Sequence, residues 1–461
     1  MKQPDLTADV GGIRSPNPFW LASGPPTNSA YQVRRAFEAG WGGVVWKTVG
    51  HDPAVNVSSR YGAVDYDGRK LMGFNNIELI TDRSLEDNLE EIRQIKREFP
   101  DRAVVVSLMV ESTQAAWHDI VRQVEDTGCD GLELNFGCPH GMSERGMGSA
   151  VGQVPEYTCM VTEWVKEVAR TPVLVKLTPN VTDVRGPGRA AAHARADGIS
   201  LINTINSIVG VDLDTLAPRP QVAGRGSHGG YCGPAVKPIA LNMVQQIASD
   251  PEIRLPVSGI GGVQTWQDAV EFLLLGAGNV QVCTAAMHFG FRIVEQLESG
   301  LKNWMRSKGF SRLGDFVGAS VERVGTWNEL DLGYKVVARI DQDTCIHCGL
   351  CYIACEDGAH QSIIREEVAE DTFLQNGRGT TAVMKSGRRT VVAGAGAGYV
   401  NRYEIREETC VGCNLCSLVC PVSGCITMTE VPSGLPSMTW TEYQERLGRG
   451  EVEPIRPPGH V

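Results

Sequence analysis

Between Phe19 and Ala286 short apolar runs alternate with longer amphipathic stretches, and few folds can absorb that rhythm. The apolar runs are Phe19–Gly24, Gly42–Val49, Ala103–Val110, Gly131–Cys138, Pro172–Pro179, Gly198–Ile205, Leu255–Gly262 and Asn279–Ala286. Most are nearly continuous in Val, Ile, Leu and Ala, as parallel strands covered on both faces should be. Helical patterns lie between them, at Ser29–Ala39, Ser84–Phe99, Thr113–Thr127, Pro155–Ala169, Asp183–Ala196, Ala235–Ala248, Thr265–Leu275 and Phe291–Trp304. The clearest is Ser84–Phe99, where Leu85, Leu89, Ile92 and Ile95 recur at helical spacing, Ser84 is placed to cap and Pro100 follows the end. Eight strand–helix units predict an α/β fold of the (β/α)8 TIM-barrel type. A doubly wound sheet is the alternative, but its glycine fingerprint is absent from the first strand–helix turn.

In a barrel of this kind the chemistry gathers at the C-terminal ends of the strands. Here those ends carry Ser23, Lys47-Thr48, Asn135 to Cys138, Lys176, Asn203-Thr204, Gly259 to Gly262, and Cys283-Thr284. Lysines and asparagines at strand ends are costly to bury without a partner, and a bound polar ligand accounts for them together. The stretch Gly131–Gly148 stands out. Its first half reads as a strand ending near Asn135; its second is a glycine-laden loop carrying Cys138, His140 and a Glu144-Arg145 pair. Gly137, Gly141, Gly146 and Gly148 would let that loop swing or approach a ligand closely.

Ser258-Gly-Ile-Gly-Gly262 and Cys283-Thr-Ala-Ala286 each read as opening a helix, the arrangement that favours a phosphate, and loops after strands seven and eight are where barrels often bind one. Gly233 would add a backbone donor. The phosphate belongs either to a substrate or to a cofactor such as FMN.

Eight of the 14 cysteines fall in two C-terminal runs, Cys345-x2-Cys348-x2-Cys351-x3-Cys355 and Cys410-x2-Cys413-x2-Cys416-x3-Cys420-Pro421. This is bacterial ferredoxin spacing, in which three cysteines of one run hold a cluster completed from the other. One [4Fe–4S] cluster is assigned to Cys345, Cys348, Cys351 and Cys420, the other to Cys410, Cys413, Cys416 and Cys355. Zinc rarely needs so tight a run twice over. Glu356 stands where the first run would carry its proline, and Cys425 is a spare thiol of structural character. The expected organisation is a barrel over 1–310, a linker over 311–340, a ferredoxin-like α+β domain over 341–430 with an insertion at 363–409, and a tail over 431–461. A hairpin is expected over Ala382–Tyr403; its Val391–Gly398 segment mimics a dinucleotide loop but has no βαβ unit around it.

The net charge of −11 argues against nucleic acid. No apolar run approaches a membrane span, and the N-terminus lacks the apolar core of a secretory signal, so a cytoplasmic location is expected. Two clusters beside a phosphate-binding barrel suggest one-electron traffic into a flavin, which converts it to hydride chemistry.

The motifs Asn75-Asn-Ile-Glu-Leu79, Asn135–Gly148, Lys176-Leu-Thr-Pro-Asn180, Asn203-Thr204 and the double cysteine run together resemble the catalytic subunits of bacterial dihydropyrimidine dehydrogenases, whose fold is similar to that of class 1 dihydroorotate dehydrogenases. The resemblance runs from about Asn17 to Met428. It implies that uracil or thymine is reduced to the 5,6-dihydro base, with hydride from FMN N5 to C6 and a proton from Cys138 to C5. Asn76, Glu78, Leu79, Asn135, Asn203 and Thr204 match pyrimidine contacts. Lys47, Thr48, Lys176, Gly233, Cys283 and Thr284 match FMN contacts, joined here by Ala22, Ser23, Asn135, Gly261 and Gly262. His140 matches a histidine of the mobile loop. Gly137 departs from the serine of the mammalian enzymes. The chain has no recognisable FAD or NADPH domain, so the resemblance implies a separate PreT-like FAD/NAD(P)H subunit and a homodimer or heterotetramer. Dihydroorotate oxidation, reduction of another cyclic imide or amide, and a non-catalytic electron-transfer module are the alternatives.

Overall fold

The computed structural model describes residues 3–66, 69–369, 381–383, 389–391 and 399–454. They form two compact units, divided between Val324 and Gly325.

In the first unit eight parallel strands close into a barrel: β1 (Phe19–Leu21), β2 (Gly43–Val49), β3 (Ala103–Leu108), β4 (Gly131–Asn135), β5 (Val173–Lys176), β6 (Gly198–Leu201), β7 (Val257–Ile260) and β8 (Ala277–Val282). Each pairs with the next, and β8 pairs with β1. All eight expected strands are present. Most end short of the expected limit, because the chain turns off the ladder where its polar residues begin; β4, for example, stops at Asn135. Strand alternation sends Leu132 and Leu134 outward into the main apolar core and leaves Glu133 and Asn135 inward.

Helices pack around the strands. In Leu85–Glu98 the Ser84 hydroxyl accepts a hydrogen bond from Asp87 N, and Leu85, Leu89, Ile92 and Ile95 are buried. The cap contributes about 1 kcal/mol and each buried side chain about 1.5–3 kcal/mol relative to exposure. The helix expected at Thr265–Leu275 is present as Trp266–Leu274, and it starts after the Ser258–Gly262 turn rather than on it. Thr265 caps it, in a capping box with Asp268. Its terminal N–H groups are therefore partly satisfied by its own side chains, and the Gly261-Gly262 turn lies ahead of it.

A four-stranded antiparallel sheet is added to the barrel, in the order Ile205–Ser207, Gly229–Cys232, Arg69–Asn76, Tyr61–Tyr66. It carries Asn75 and Asn76 on a strand rather than in a loop.

In the second unit Val336–Ile340 pairs antiparallel with Ile426–Glu430. Short helices at Leu350–Glu356 and Leu415–Val419 follow the opening cysteines of the two runs. The insertion opens with a longer ladder than expected, Ile363–Ala369 against Tyr399–Ile405, and contains a second pairing, Thr381–Val383 with Arg389–Val391. Most of Val391–Gly398 lies outside the described residues. The expected linker is divided: Gly318 N donates to Leu273 O in the barrel unit, whereas Leu332 N donates to Met438 O in the second. The expected tail includes a helix, Trp440–Gly448, whose Trp440 ring lies 5.5 Å from that of Trp327. Paired aromatics and a capped end explain why both stretches are structured.

Candidate active site and cluster cavities

The strand ends of the barrel and the added sheet enclose a cleft of about 1180 Å³ including its open mouth. Every residue expected to touch substrate or flavin lines it: Ala22, Ser23, Lys47, Thr48, Asn76, Glu78, Leu79, Asn135, Cys138, His140, Lys176, Asn203, Thr204, Gly233, Gly261, Gly262, Cys283 and Thr284. Glu144 and Arg145 are exposed and do not line it.

The polar floor is a connected network. Ser23 Oγ lies 3.1 Å from Thr48 Oγ1, and Asn135 Nδ2 donates to Thr48 Oγ1 at 2.9 Å. Asn203 Nδ2 donates to Asn135 Oδ1 at 2.9 Å, and Asn203 Oδ1 accepts from Thr204 N at 2.8 Å. Asn76 Nδ2 donates to Gly230 O at 3.1 Å. These bonds fix how each amide points and leave donor and acceptor capacity on each to meet a ligand.

Glu78 is buried and accepts hydrogen bonds from Lys47 and from Tyr61, with Arg60 Nη1 at 3.5 Å. Burial, then the Glu78 carboxylate, pushes the Tyr61 phenol well above its ordinary value. His140 Nε2 lies 3.0 Å from the backbone O of Glu78, and burial lowers its pKa; its Nδ1 is buried without a partner. The second lysine, Lys176, lies 3.3 Å from Glu133.

Cys138 sits at the base of the 137–148 loop among Ala54, Ile80, Met109 and Met142. Burial in this apolar shell pushes its thiol up to about 11, and the thiol makes a long 3.6 Å donation to His140 O. At neutral pH the group is a protonated thiol, able to give a proton. Its backbone accepts from Ser149 N at 3.0 Å, which holds the loop over the cleft. Gly137 lets the loop pass close to the neighbouring strand end: a Cβ there would lie 2.3 Å from Asn203 Cβ.

The cleft fits a flavin phosphate. A Cβ at Gly262 would lie 2.9 Å from Gly233 O and 3.1 Å from Lys237 N, so backbone forms the wall where a phosphate needs N–H donors. Two lysines and the unpartnered Gln281 Oε1 add the polar complement of a ring with carbonyl and N–H edges. Burial pushes the Cys283 thiol up to about 12 and that of Cys232 up to about 11, so both remain neutral.

Sequence reasoning did not single out Tyr61, Phe74, Tyr231, Cys232, Gln281 or Met287, which also line the cleft. Tyr61 and Phe74 stack at 4.9 Å. A signal was present: Asp67-Gly68, a hairpin dipeptide, separates the strands that bear them.

In the second unit the cysteines gather in two cavities. Cys345, Cys348, Cys351 and Cys420 line one, with Cys425; Cys355, Cys410, Cys413 and Cys416 line the other. The runs are locally alike. His347 and Gly349 in the first, and Gly412 and Asn414 in the second, all take positive φ, which wraps the chain around a compact centre. Four thiols converging twice fit two cubane clusters.

The dihydroorotate dehydrogenase family profile matches residues 5–305, and a 4Fe-4S dicluster domain matches 338–428. The chain is 43% identical over 364 residues to the NAD-dependent dihydropyrimidine dehydrogenase subunit PreA of Escherichia coli, covering 79% of this chain and 88% of that one. It is 43% identical over 339 residues to the chloroplastic dihydropyrimidine dehydrogenase (NADP(+)) of Arabidopsis thaliana, covering 71% and 80%. It is 38% identical over 323 residues to the catalytic subunit of dihydroorotate dehydrogenase B (NAD(+)) of Pyrococcus abyssi, covering 69% and 99%.

Proposed function

The chain belongs to the dihydroorotate dehydrogenase family, as an oxidoreductase of pyrimidine-dehydrogenase type with FMN and two [4Fe–4S] clusters, and on that premise we propose that it reduces uracil or thymine to the 5,6-dihydro base. The observation that carries this reading is the convergence of three carboxamides and one protonated thiol on a single cleft. Asn76, Asn135 and Asn203 offer donors and acceptors together, the complement of a flat ring with alternating C=O and N–H groups. Glu78 and Thr204 complete the pocket polarity, and Leu79 adds an apolar edge. Cys138 gives its proton to C5. His140 holds the loop to the Glu78 backbone and so keeps Cys138 over the cleft.

When bound, FMN supplies the hydride that reaches C6. Lys47, Thr48, Asn135 and Lys176 would hold its ring, Ala22 and Ser23 would line its side, and Gly233, Gly261, Gly262, Cys283 and Thr284 would receive its phosphate end. The ligand sets are Cys345, Cys348, Cys351 and Cys420 for one cluster and Cys410, Cys413, Cys416 and Cys355 for the other. The clusters would supply one-electron transfer from a separate FAD-containing, NAD(P)H-oxidising subunit, in a homodimeric or heterotetrameric assembly. Cysteines gathered for cluster ligation rather than paired in disulfides suit the reducing cytoplasm. No helix among the described residues is long and apolar enough to cross a membrane.

Dihydroorotate oxidation is the second reading, supported by the Pyrococcus relative. Against it, a carboxylate-bearing ring would meet Glu78. The two readings separate in an anaerobic assay with reduced viologen replacing the partner. Uracil or thymine is expected to be consumed while NADH alone drives nothing; turnover of orotate alone would favour the second reading.

A further inference from the structure

Glu133 points into the barrel interior and is fully buried. Its Oε2 accepts from Ser200 Oγ at 2.8 Å and from Gln281 Nε2 at 3.1 Å, and Gln281 Nε2 also donates to Ser258 Oγ at 2.9 Å. Its Oε1 takes no hydrogen bond and instead faces the Lys176 ammonium at 3.3 Å. Two strands, β6 and β8, thus supply neutral dipoles to one carboxylate on β4, Ser258 on β7 steadies the Gln281 amide, and β5 supplies the countercharge. Stability alone does not explain this expense. A buried ion pair seldom outdoes apolar side chains of similar volume, which fill such barrel layers elsewhere. Lys176, however, also lines the cleft, between its ladder neighbours Asn135 and Ser200.

We infer that Glu133 is a positioning residue that holds Lys176 in place and cancels its charge beneath the flavin, thereby setting the flavin's reduction potential. The inference rests on the proposed FMN site. Reduced flavin is the more electron-rich form, so net positive charge beside it favours reduction. Lys47 is compensated in the same way by Glu78, which leaves the floor close to neutral. The other titratable and charged groups around the cleft are Cys138, Cys232 and Cys283, whose thiols stay protonated, Tyr61, whose phenol pKa is raised, His140, whose pKa burial lowers, and Arg60, which lies 3.5 Å from Glu78 and 3.8 Å from Asp82.

The test is the reduction potential of the FMN-loaded full chain as a function of pH, in wild type, Glu133→Gln, Lys176→Met and the double variant. In Glu133→Gln an uncompensated Lys176 ammonium is expected to move the potential to more positive values at acid pH. The shift should fade as pH rises, because an unpaired buried ammonium loses its proton. Lys176→Met should move the potential the other way, and the double variant, with both charges of the pair gone, should return close to the wild-type value. Should Glu133→Gln not fold, Lys176→Met reads the same pair from its other end. Single variants that load FMN and keep the wild-type potential overturn the inference alone, as does a double variant whose potential stays as far from wild type as a single variant's. A purified chain that takes up no FMN overturns the flavin reading and this inference with it.

Discussion

Replacing Cys138 by alanine removes the proton donor and little else. The side chain is small and its hydrogen bond is a weak donation to a backbone oxygen. General acid catalysis by a positioned group is worth about 10²–10⁴-fold, or roughly 3–5 kcal/mol of barrier. Cys138→Ala is therefore expected to keep FMN and clusters and to reduce uracil about 10²–10⁴ times more slowly. The direction of the pH dependence follows from the thiol. With its pKa pushed up to about 11, nearly all of it is protonated across the neutral range, so wild-type reduction is flat from about pH 6 to 9.5. The reverse reaction needs the thiolate, roughly 10⁻⁴ of the population at pH 7, and should rise about tenfold per pH unit up to about pH 10. The assay is stopped-flow reoxidation of the reduced flavin by uracil, and its reduction by dihydrouracil, over that range. Turnover by Cys138→Ala within about threefold of wild type, or a reduction limb that falls with a midpoint near an ordinary thiol's, would refute the reasoning.

Gly137→Ser places a Cβ 2.3 Å from Asn203 Cβ, so Asn203 must give way. At about 1–3 kcal/mol of overpacking, pyrimidine binding by calorimetry should weaken about tenfold or more, with FMN retained. Glu78→Ala strands the buried Lys47 ammonium; denaturant melts should show a loss of about 3–5 kcal/mol. Cys413→Ala should halve the iron content, roughly, and leave one cluster signal by electron paramagnetic resonance.

The barrel was legible because parallel strands buried on both faces leave unbroken apolar runs, as at Val104, Val105 and Val106. Strand-end residues were legible because Lys47, Asn135 and Lys176 interrupt those runs with groups that need partners. The added sheet was not. Tyr61–Tyr66 and Arg69–Asn76 mix small, aromatic and charged residues, so neither alternation nor apolarity marks them. Its hairpin dipeptide was the one local sign. The role of Glu133 was hidden for a related reason: within Gly131–Asn135 it is a single charge in an apolar strand, and only closure of the barrel brings Ser200, Gln281 and Lys176 around it. The helix after the glycine turn was legible to within a residue at each end, where Thr265 and Asp268 form its capping box; what the turn hid is that Ser258–Gly262 does not itself open the helix.

The central claim is that this chain alone carries the pyrimidine chemistry and needs a partner only for electrons. The direct measurement is anaerobic: reduce the FMN- and cluster-loaded chain with dithionite, remove the excess, add uracil, and follow absorbance with product analysis. The account predicts reoxidation with formation of dihydrouracil. A loaded, reduced chain that neither uracil nor thymine reoxidises would contradict it.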